Sequence, residues 1–526
     1  MARKASLVVR AEIERLDERG YGVFRLLPGT PVWREPLPEA LPAAEGSTGA
    51  PPGRGEPGTP SIPGTTADSG PQPGTGAAPA PAPEPYAGKP REVAVPFALP
   101  GEQVWVRVHR GARRRGALRG EVLGWIAAHP QRTRARCLHF GTCGGCALQH
   151  AAYALQLELK RERVRQLLAQ RGLGVAVEPV LGMEEPWGYR NKMEFAFRPD
   201  GRPGLHARGS FRTVFPLSQC HIAHPDIDRV REEVAAWTAA YGLPGYDKRT
   251  HQGLLRHLVV RKAFATGELL AALVATEPPD AYAGALEALA GSLRRACPGL
   301  RGLLWVENRN PADAVVVERL HVVVGEPYIE EELGGFRYRI ELETFFQTNP
   351  RQAERLLAQA LRFARELAGE APLPLAVDLF SGVGPCTLPL ARLARRAVGI
   401  EIVAASVEAA RANAQRNEVD NALFIQGDAG EGLRRLLRQG GSVPLLLLLL
   451  DPPRSGAGPK ALKAIAEAAP KGIVYVSCNP QTFADDAAFL AERGYALQSV
   501  IPVDMFPHTP NVELVACLVR KEGGRR

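Results

Sequence analysis

The stretch LAVDLFSGVGPCTLPLARLA (375–394) decides the fold. Its first six residues read as a strand, and CTLPLARLA reads as a helix. Between them SGVG forms a turn in which Gly382 and Gly384 let the backbone approach a ligand closely. The pattern repeats downstream. After a helix over 351–369 and this first unit come strand AVGIE (397–401), helix 403–417, strand LFIQGD (423–428) and helix 430–439. Strand LLLLLLDPP (445–453), helix 459–468, strand GIVYVSC (472–478), helix 481–493 and a closing strand pair complete the series. Strands alternating with helices predict an α/β, Rossmann-like parallel sheet covered on both faces, assigned to 346–526.

Acids recur where these strands end. Asp378 lies in the first, Glu401 closes the second twenty-three residues later, and Asp428 closes the third. A dinucleotide G-x-G-x-x-G is absent, and the spacing suits an S-adenosylmethionine-binding domain better. Asp451, in Asp451-Pro452-Pro453-Arg454, is expected to line the same pocket, although a helix cap explains it too. Cys478, in VSCNP, is a candidate nucleophile at a strand edge. Taken alone, a small buried hydrophobe is the better reading of it. Glu513, just before the strand LVACLV, could act as a general base, or be an ordinary strand-edge acid.

Toward the N-terminus the chemistry changes. CLHFGTCGGC (137–146) sets Cys137, Cys143 and Cys146 in ten residues with three glycines. Such a loop can wrap a metal centre, with Cys220 as the fourth thiolate. Zinc and an iron–sulfur cluster both fit that set. A helix is predicted over 147–171, with Leu155, Leu159, Val164 and Leu167–Leu168 inward and Lys160, Arg161 and Arg163 on the other face. The cysteine loop and a mixed α+β region make a central domain, 129–345. Before it, short strands punctuated by Gly and Pro predict a small β-barrel within 1–128. Residues 51–90 hold twelve prolines and eight glycines. About 34–92 is therefore expected to be a disordered insert.

The uniformly apolar runs, Leu445–Leu450 among them, are far short of the ~20 residues that span a bilayer, so no membrane partner is expected. The N-terminal residues lack the apolar core of a signal peptide, and a cytoplasmic protein is expected. Eight cysteines in 526 residues do not make a disulfide scaffold. The net charge is +9, and residues 107–120 carry six arginines and no acid. A polyanion, with nucleic acid the commonest, is the expected partner, and a solvated basic loop is the plain alternative.

Taken together, YRNKMEFAF (189–197), GLLRHLVVR (253–261), FFQTNPRQAE (345–354), DLFSGVGPCTLPLA (378–391), DPPR, VSCNP and DMFPHT-x-x-x-E (504–513) resemble the RNA uracil-5 methyltransferases. The resemblance covers nearly the whole chain. It implies Cys478 as the nucleophile and Glu513 as the proton acceptor, which reverses the plain reading of Cys478. It implies that Gln347, Phe380, Glu401 and Asp451 contact S-adenosylmethionine, with Asp428 near its adenine. The N-terminal barrel is similar to a TRAM domain, an OB-like RNA-binding module. Cys137, Cys143, Cys146 and Cys220 are similar to the four-iron, four-sulfur site of the ribosomal-RNA members. The implied substrate is therefore 23S ribosomal RNA, and a monomer is expected.

Three positions depart from the family pattern. Ser381 stands where a Cys is usual, Pro385 where a small polar residue is usual, and Asn511 where His is frequent. Two rivals remain: the same chemistry on transfer RNA, and an RNA-binding assembly protein with a vestigial catalytic domain.

Overall fold

The computed structural model describes residues 6–34, 83–114, 116–210, 212–310, 312, 314–370, 372–439 and 445–521. Residues 35–82, most of the expected insert, lie outside the described residues. Its far end, 83–92, is not a loop throughout: it contains one short strand and the start of another. The chain forms two compact units. One comprises 1–135 and 147–152, the other 136–146 and 153–526.

The first unit is built from β1 (Leu7–Glu12), β2 (Arg15–Leu16), β3 (Gly22–Leu26), β4 (Pro31–Arg34), β5 (Glu84–Pro85), β6 (Arg91–Val95), β7 (Gln103–Arg114) and β8 (Ala117–Ala127). They form one sheet in the order β2-β3-β6-β8-β7-β1-β4-β5. Val9, Phe24, Val32, Val95 and Val106, from five of its strands, meet in one core cluster. A single sheet can bury one face against itself only by curling. Glu102 is fully buried beneath it and accepts from Leu99 N, Trp125 Nε1, His129 N and Arg132 Nε. Burial works against its ionisation, but Arg132 and these donors prevail and hold the carboxyl below its usual range.

The second unit begins with the cysteine loop and α1 (Tyr153–Ala169). A central group follows: β9 (Lys192–Phe197), β10 (Pro203–His206), β11 (Val214–Pro216), α2 (Pro225–Tyr241), β12 (Leu255–Lys262), β13 (Leu269–Ala275), α3 (Ala283–Ala296), β14 (Leu300–Glu307) and β15 (Arg319–Gly325). The sheet order is β11-β10-β9-β12-β13-β14-β15. Strands β12 and β13 are buried on both faces. Leu258, Val260 and Leu273 pack against α2 and α3, while Val259, Leu270 and Val274 face the other way. That second face meets the hairpin β16 (Tyr328–Leu333) and β17 (Phe336–Glu341) and the helix α4 (Pro350–Ala368).

The C-terminal group is β18 (Ala376–Leu379), α5 (Thr387–Ala391), β19 (Ala397–Glu401), α6 (Ala404–Arg416), β20 (Ala422–Gln426), α7 (Ala429–Gln439), β21 (Leu447–Leu450), α8 (Gly458–Ala468), β22 (Gly472–Ser477), α9 (Pro480–Ala491), β23 (Tyr495–Val503) and β24 (Glu513–Arg520). The order is β20-β19-β18-β21-β22-β24-β23, parallel until β24 enters antiparallel. The leucine run is a central strand. Leu447 and Leu449 enter the core shared with α4, and Leu448 and Leu450 enter the core on the opposite face. The central sheet and the C-terminal sheet share that first core, so the expected boundary at 345/346 falls inside one compact unit.

One expectation is corrected. Lys160 does not lie on a solvent face of α1. It is 2% exposed, because its ammonium meets the fully buried carboxylate of Asp504. Among the described residues, no helix is long and apolar enough to cross a membrane.

Candidate active site

The C-terminal sheet reverses its direction of growth between β18 and β21. Chain segments leaving these two strands diverge, and that leaves a crevice at their carboxyl ends. Phe380 follows β18, Glu401 ends β19, Asp428 follows β20, Asp451 follows β21 and Cys478 follows β22. Strand β24 runs the other way, so its first residue, Glu513, opposite Val503 and next to the Leu514 that pairs with Ser477, reaches the same edge. Six residues from six strands thus share one rim.

The Gly-rich turn is bent to fit. Phe380 has φ +63°, in the left-handed region, followed by Gly382 at +52° and Gly384 at +93°. A side chain at Gly384 would press on the Phe424 ring at 3.1 Å. Glu401 braces the turn, its Oε2 accepting from Gly382 N at 3.0 Å and its Oε1 from Val403 N at 2.9 Å. Asp378 is buried behind it. Its Oδ2 accepts from Thr387 Oγ1 at 2.6 Å, while Oδ1 is buried with no hydrogen-bond partner among the described residues.

The rim is strongly acidic. Burial, then the negative Asp451 and Glu401, push Asp378 up to about 8. Burial raises Asp451 to about 6, and burial with Asp451 raises Glu513 to about 8. Cys478 is half-buried. Burial, Glu513 and Asp451 push its thiol up to about 11, while Arg454 pulls the other way. Carboxyl groups this close, without enough cations, make a pocket that favours a positively charged guest.

Gln347 and Asp428 are placed differently. Gln347 lies on the loop entering α4. Asn191 Nδ2 donates to its carbonyl at 3.2 Å, and Asn191 N donates to Thr348 O at 2.9 Å. Arg261 holds the start of that loop through Leu342 O and Thr344 O. Asp428 Oδ1 accepts from Gly430 N at 3.0 Å and Glu431 N at 3.1 Å, so it caps α7 as well as sitting on the rim.

The four expected cysteine ligands converge elsewhere in the same unit. Cys137 and Cys143 interact electrostatically, as do Cys143 and Cys220. Cys146 and Cys220 both pack against the cluster of Met183, Tyr189 and Ile222. All four are partly buried, and none is in a disulfide with another described residue. Among the described residues, no three His, Cys, Asp or Glu side chains close on a point that would hold a single metal ion.

The family model for tRNA (uracil-5-)-methyltransferases matches residues 316–521. An uncharacterised RNA methyltransferase of Caldanaerobacter subterraneus is 38% identical, over 82% of this chain and 94% of its own length. One from Porphyromonas gingivalis is 36% identical over 81% and 95%. The chain belongs to the RNA (uracil-5-)-methyltransferases. The crystal structure of the Pyrococcus abyssi tRNA (uracil-54, C5)-methyltransferase in complex with S-adenosyl-L-homocysteine is similar throughout. It is 25% identical with a TM-score of 0.65, over 97% of this chain and all of that one.

Against the family pattern, Ser381 is buried and its Oγ finds no partner among the described residues. Asn511 ties the segment before Glu513 to the one after Asp451, because its Oδ1 accepts from Arg454 Nη2 at 3.3 Å. Asn479 Nδ2 donates to Arg454 O at 2.9 Å, and its Oδ1 caps α9 by accepting from Gln481 N. Sequence reasoning left Arg454 and Asn479 out of the site, although both stand in the DPPR and VSCNP motifs. It also missed the buried Lys160, Asp504 and His508 and the partly buried Trp187. A lysine and a glutamine, Gln156, at helical spacing with buried leucines were the available signal.

Proposed function

We propose that this methyltransferase converts a uridine of 23S ribosomal RNA to 5-methyluridine, using S-adenosylmethionine. The observation that carries the reading is Cys478 and Glu513 on the rim that also bears Glu401, Asp428 and Asp451, with Asp378 buried behind it. The acidic crevice suits the cationic donor, which supplies an electrophilic methyl group on sulfur. Asp378, with its unpartnered Oδ1, Phe380, Glu401 and Asp451 would line its place, with Gln347 and Asp428 beside it.

Carbon 5 of uracil is a poor nucleophile. The Cys478 thiolate adds to C6, forming the S–C6 bond and moving the C5–C6 π electrons onto the O4 enolate. The enolate makes C5 electron-rich, and C5 takes the methyl group. Glu513 then removes the C5 proton. The freed electron pair restores the double bond and expels the thiolate. A carboxyl raised to about 8 is a far stronger base than an ordinary glutamate and is matched to work near neutral pH. Removing the base from the stack is part of the reading, because both groups are recessed in the protein.

Cys137, Cys143, Cys146 and Cys220 would hold a four-iron, four-sulfur cluster with a structural role, since four thiolates leave no iron open. The neighbouring thiols of Cys137, Cys143 and Cys220 support a shared site, and the choice of the cluster over zinc rests on the family resemblance. Loss of the visible sulfur-to-iron band in Cys143→Ser is the expected result, and zinc accounting for all bound metal would overturn it. The first compact unit, as a TRAM-like barrel, would bind the RNA backbone.

A second reading, transfer RNA as substrate, is favoured by the likeness to the Pyrococcus enzyme. Labelled methyl transfer to unmodified 23S fragments and tRNA transcripts, with nucleoside analysis, separates the two. Label in 5-methyluridine from 23S RNA alone is expected. Label from tRNA alone overturns the substrate, and no label in either overturns the enzymatic reading.

A further inference from the structure

The nine residues 504–512 join β23 to β24 and deliver Glu513, and their attachments come largely from outside the C-terminal sheet. Tyr189 Oη donates to Pro507 O at 3.0 Å, Lys160 Nζ to Phe506 O at 3.1 Å and Arg163 Nη1 to Pro510 O at 3.1 Å. Asn349 Nδ2 donates to Met505 O at 3.0 Å. His508 N donates to Gln156 Oε1 at 2.9 Å, and Gln156 Nε2 meets His508 Nδ1 at 3.2 Å.

His508 has φ +66°, a conformation a side chain resists. Such a residue persists where its surroundings over-determine it. Here Gln156 grips its backbone and ring, and the Trp187 ring stacks on it at 3.7 Å with 21° between planes. The other contacts of Trp187 belong to the thiol site. It packs in the cluster that includes Cys146, Cys220 and Tyr189, and the Arg136 guanidinium stands 5.1 Å from its ring. Trp187 and Tyr189 therefore each touch the thiol-bearing core and the loop carrying the proposed base.

We infer that Trp187 is a positioning residue for proton removal: stacked on His508, it holds residues 504–512 so that Glu513 meets the C5 proton, and it makes the thiol-bearing segment part of that support. This rests on the reading of Glu513 as the base. The adduct with Cys478 and the methyl transfer do not need the loop's fine placement, whereas the last proton transfer does. A misplaced base slows that step alone.

The test compares wild type, Trp187→Ala, Trp187→Phe, Tyr189→Phe and Glu513→Gln on the transcript that the wild type methylates. Each is assayed on RNA carrying protium or deuterium at C5, and on 5-fluorouridine RNA. Fluorine cannot leave as a cation, so the last substrate reports adduct formation without proton removal. In Trp187→Ala we expect kcat to fall about tenfold or more, KM to stay within about twofold, and the deuterium isotope effect on kcat to rise. The rate of fluorouridine adduct formation should stay at the wild-type value. Trp187→Phe, which keeps a stacking ring, should restore turnover, and Tyr189→Phe, a milder change, should show a smaller shift of the same kind. Parallel loss of turnover and adduct formation, or an unchanged isotope effect in both Trp187→Ala and Tyr189→Phe, overturns the inference. Normal turnover in Glu513→Gln would sink the base reading itself; a blocked Glu513→Gln beside an unaffected Trp187→Ala sinks only the positioning role.

Discussion

The Lys160 ammonium is buried against the carboxylate of Asp504, 344 residues later in the chain, and Tyr153 Oη donates to the same carboxylate at 2.8 Å. Burial draws the lysine down from its usual range, and the partner's charge opposes that. Removing one member strands the other charge. Lys160→Met should therefore cost about 3–5 kcal/mol of stability, and Lys160→Met with Asp504→Leu should recover part of it. Urea unfolding measures both. Equal loss in the single and double variants would contradict the pairing.

The reactivity of Cys478 should respond to its neighbours. Glu513, ionised above about 8, discourages the thiolate, whose own value is pushed up to about 11. Glu513→Gln should lower that value and make alkylation by iodoacetamide severalfold faster at pH 9. Arg454→Ala removes the opposing cation and should slow it. Rates that do not change in either variant would refute this electrostatic account.

Replacing the proposed nucleophile tests the chemistry. Cys478→Ala should lower methyl transfer on the order of a thousandfold or more while RNA affinity is kept. Filter binding and labelled transfer, run on one preparation, separate the two effects. Full turnover in this variant would exclude the covalent route.

Asp378 makes stability depend on pH. Its value rises from the ordinary carboxyl range to about 8 in the folded protein, so between these values the folded state holds a proton that the unfolded state has lost. Stability then falls as pH rises through that window. The Tm of the ligand-free protein should drop from pH 5 to pH 8, and Asp378→Asn should make the drop smaller, the rest being carried by Asp451 and Glu513, which are raised in the same way. A Tm that rises over this range in the wild type, or an equal drop in Asp378→Asn, would assign the dependence to other groups.

Asp428 has two roles that substitution separates. Asp428→Ala removes the α7 cap and should cost about 1 kcal/mol, whereas Asp428→Asn keeps a capping oxygen and should cost a few tenths. Affinity for S-adenosylmethionine, measured by calorimetry, should fall in both if the carboxylate charge contacts the donor. A loss only in Asp428→Ala would leave the cap as its sole role.

Much of this was legible in the chain itself. Strand and helix follow from local apolar spacing. The α/β order of 346–521, the strand-end acids and the motif series that marks the family are local patterns, and folding preserved them. The tertiary structure decided what depends on meetings between distant segments. Antiparallel entry of β24 brings Glu513 to the edge where β22 leaves Cys478. Pairing with Asp504 turns Lys160 from an apparent surface residue into a buried one. Stacking of Trp187 on His508 links the cysteine-rich segment to the loop before Glu513. The physical reason is one of range: periodicity and turn chemistry act over a few residues, whereas a buried charge or a strained backbone is tolerated only when a partner hundreds of residues away arrives to compensate it.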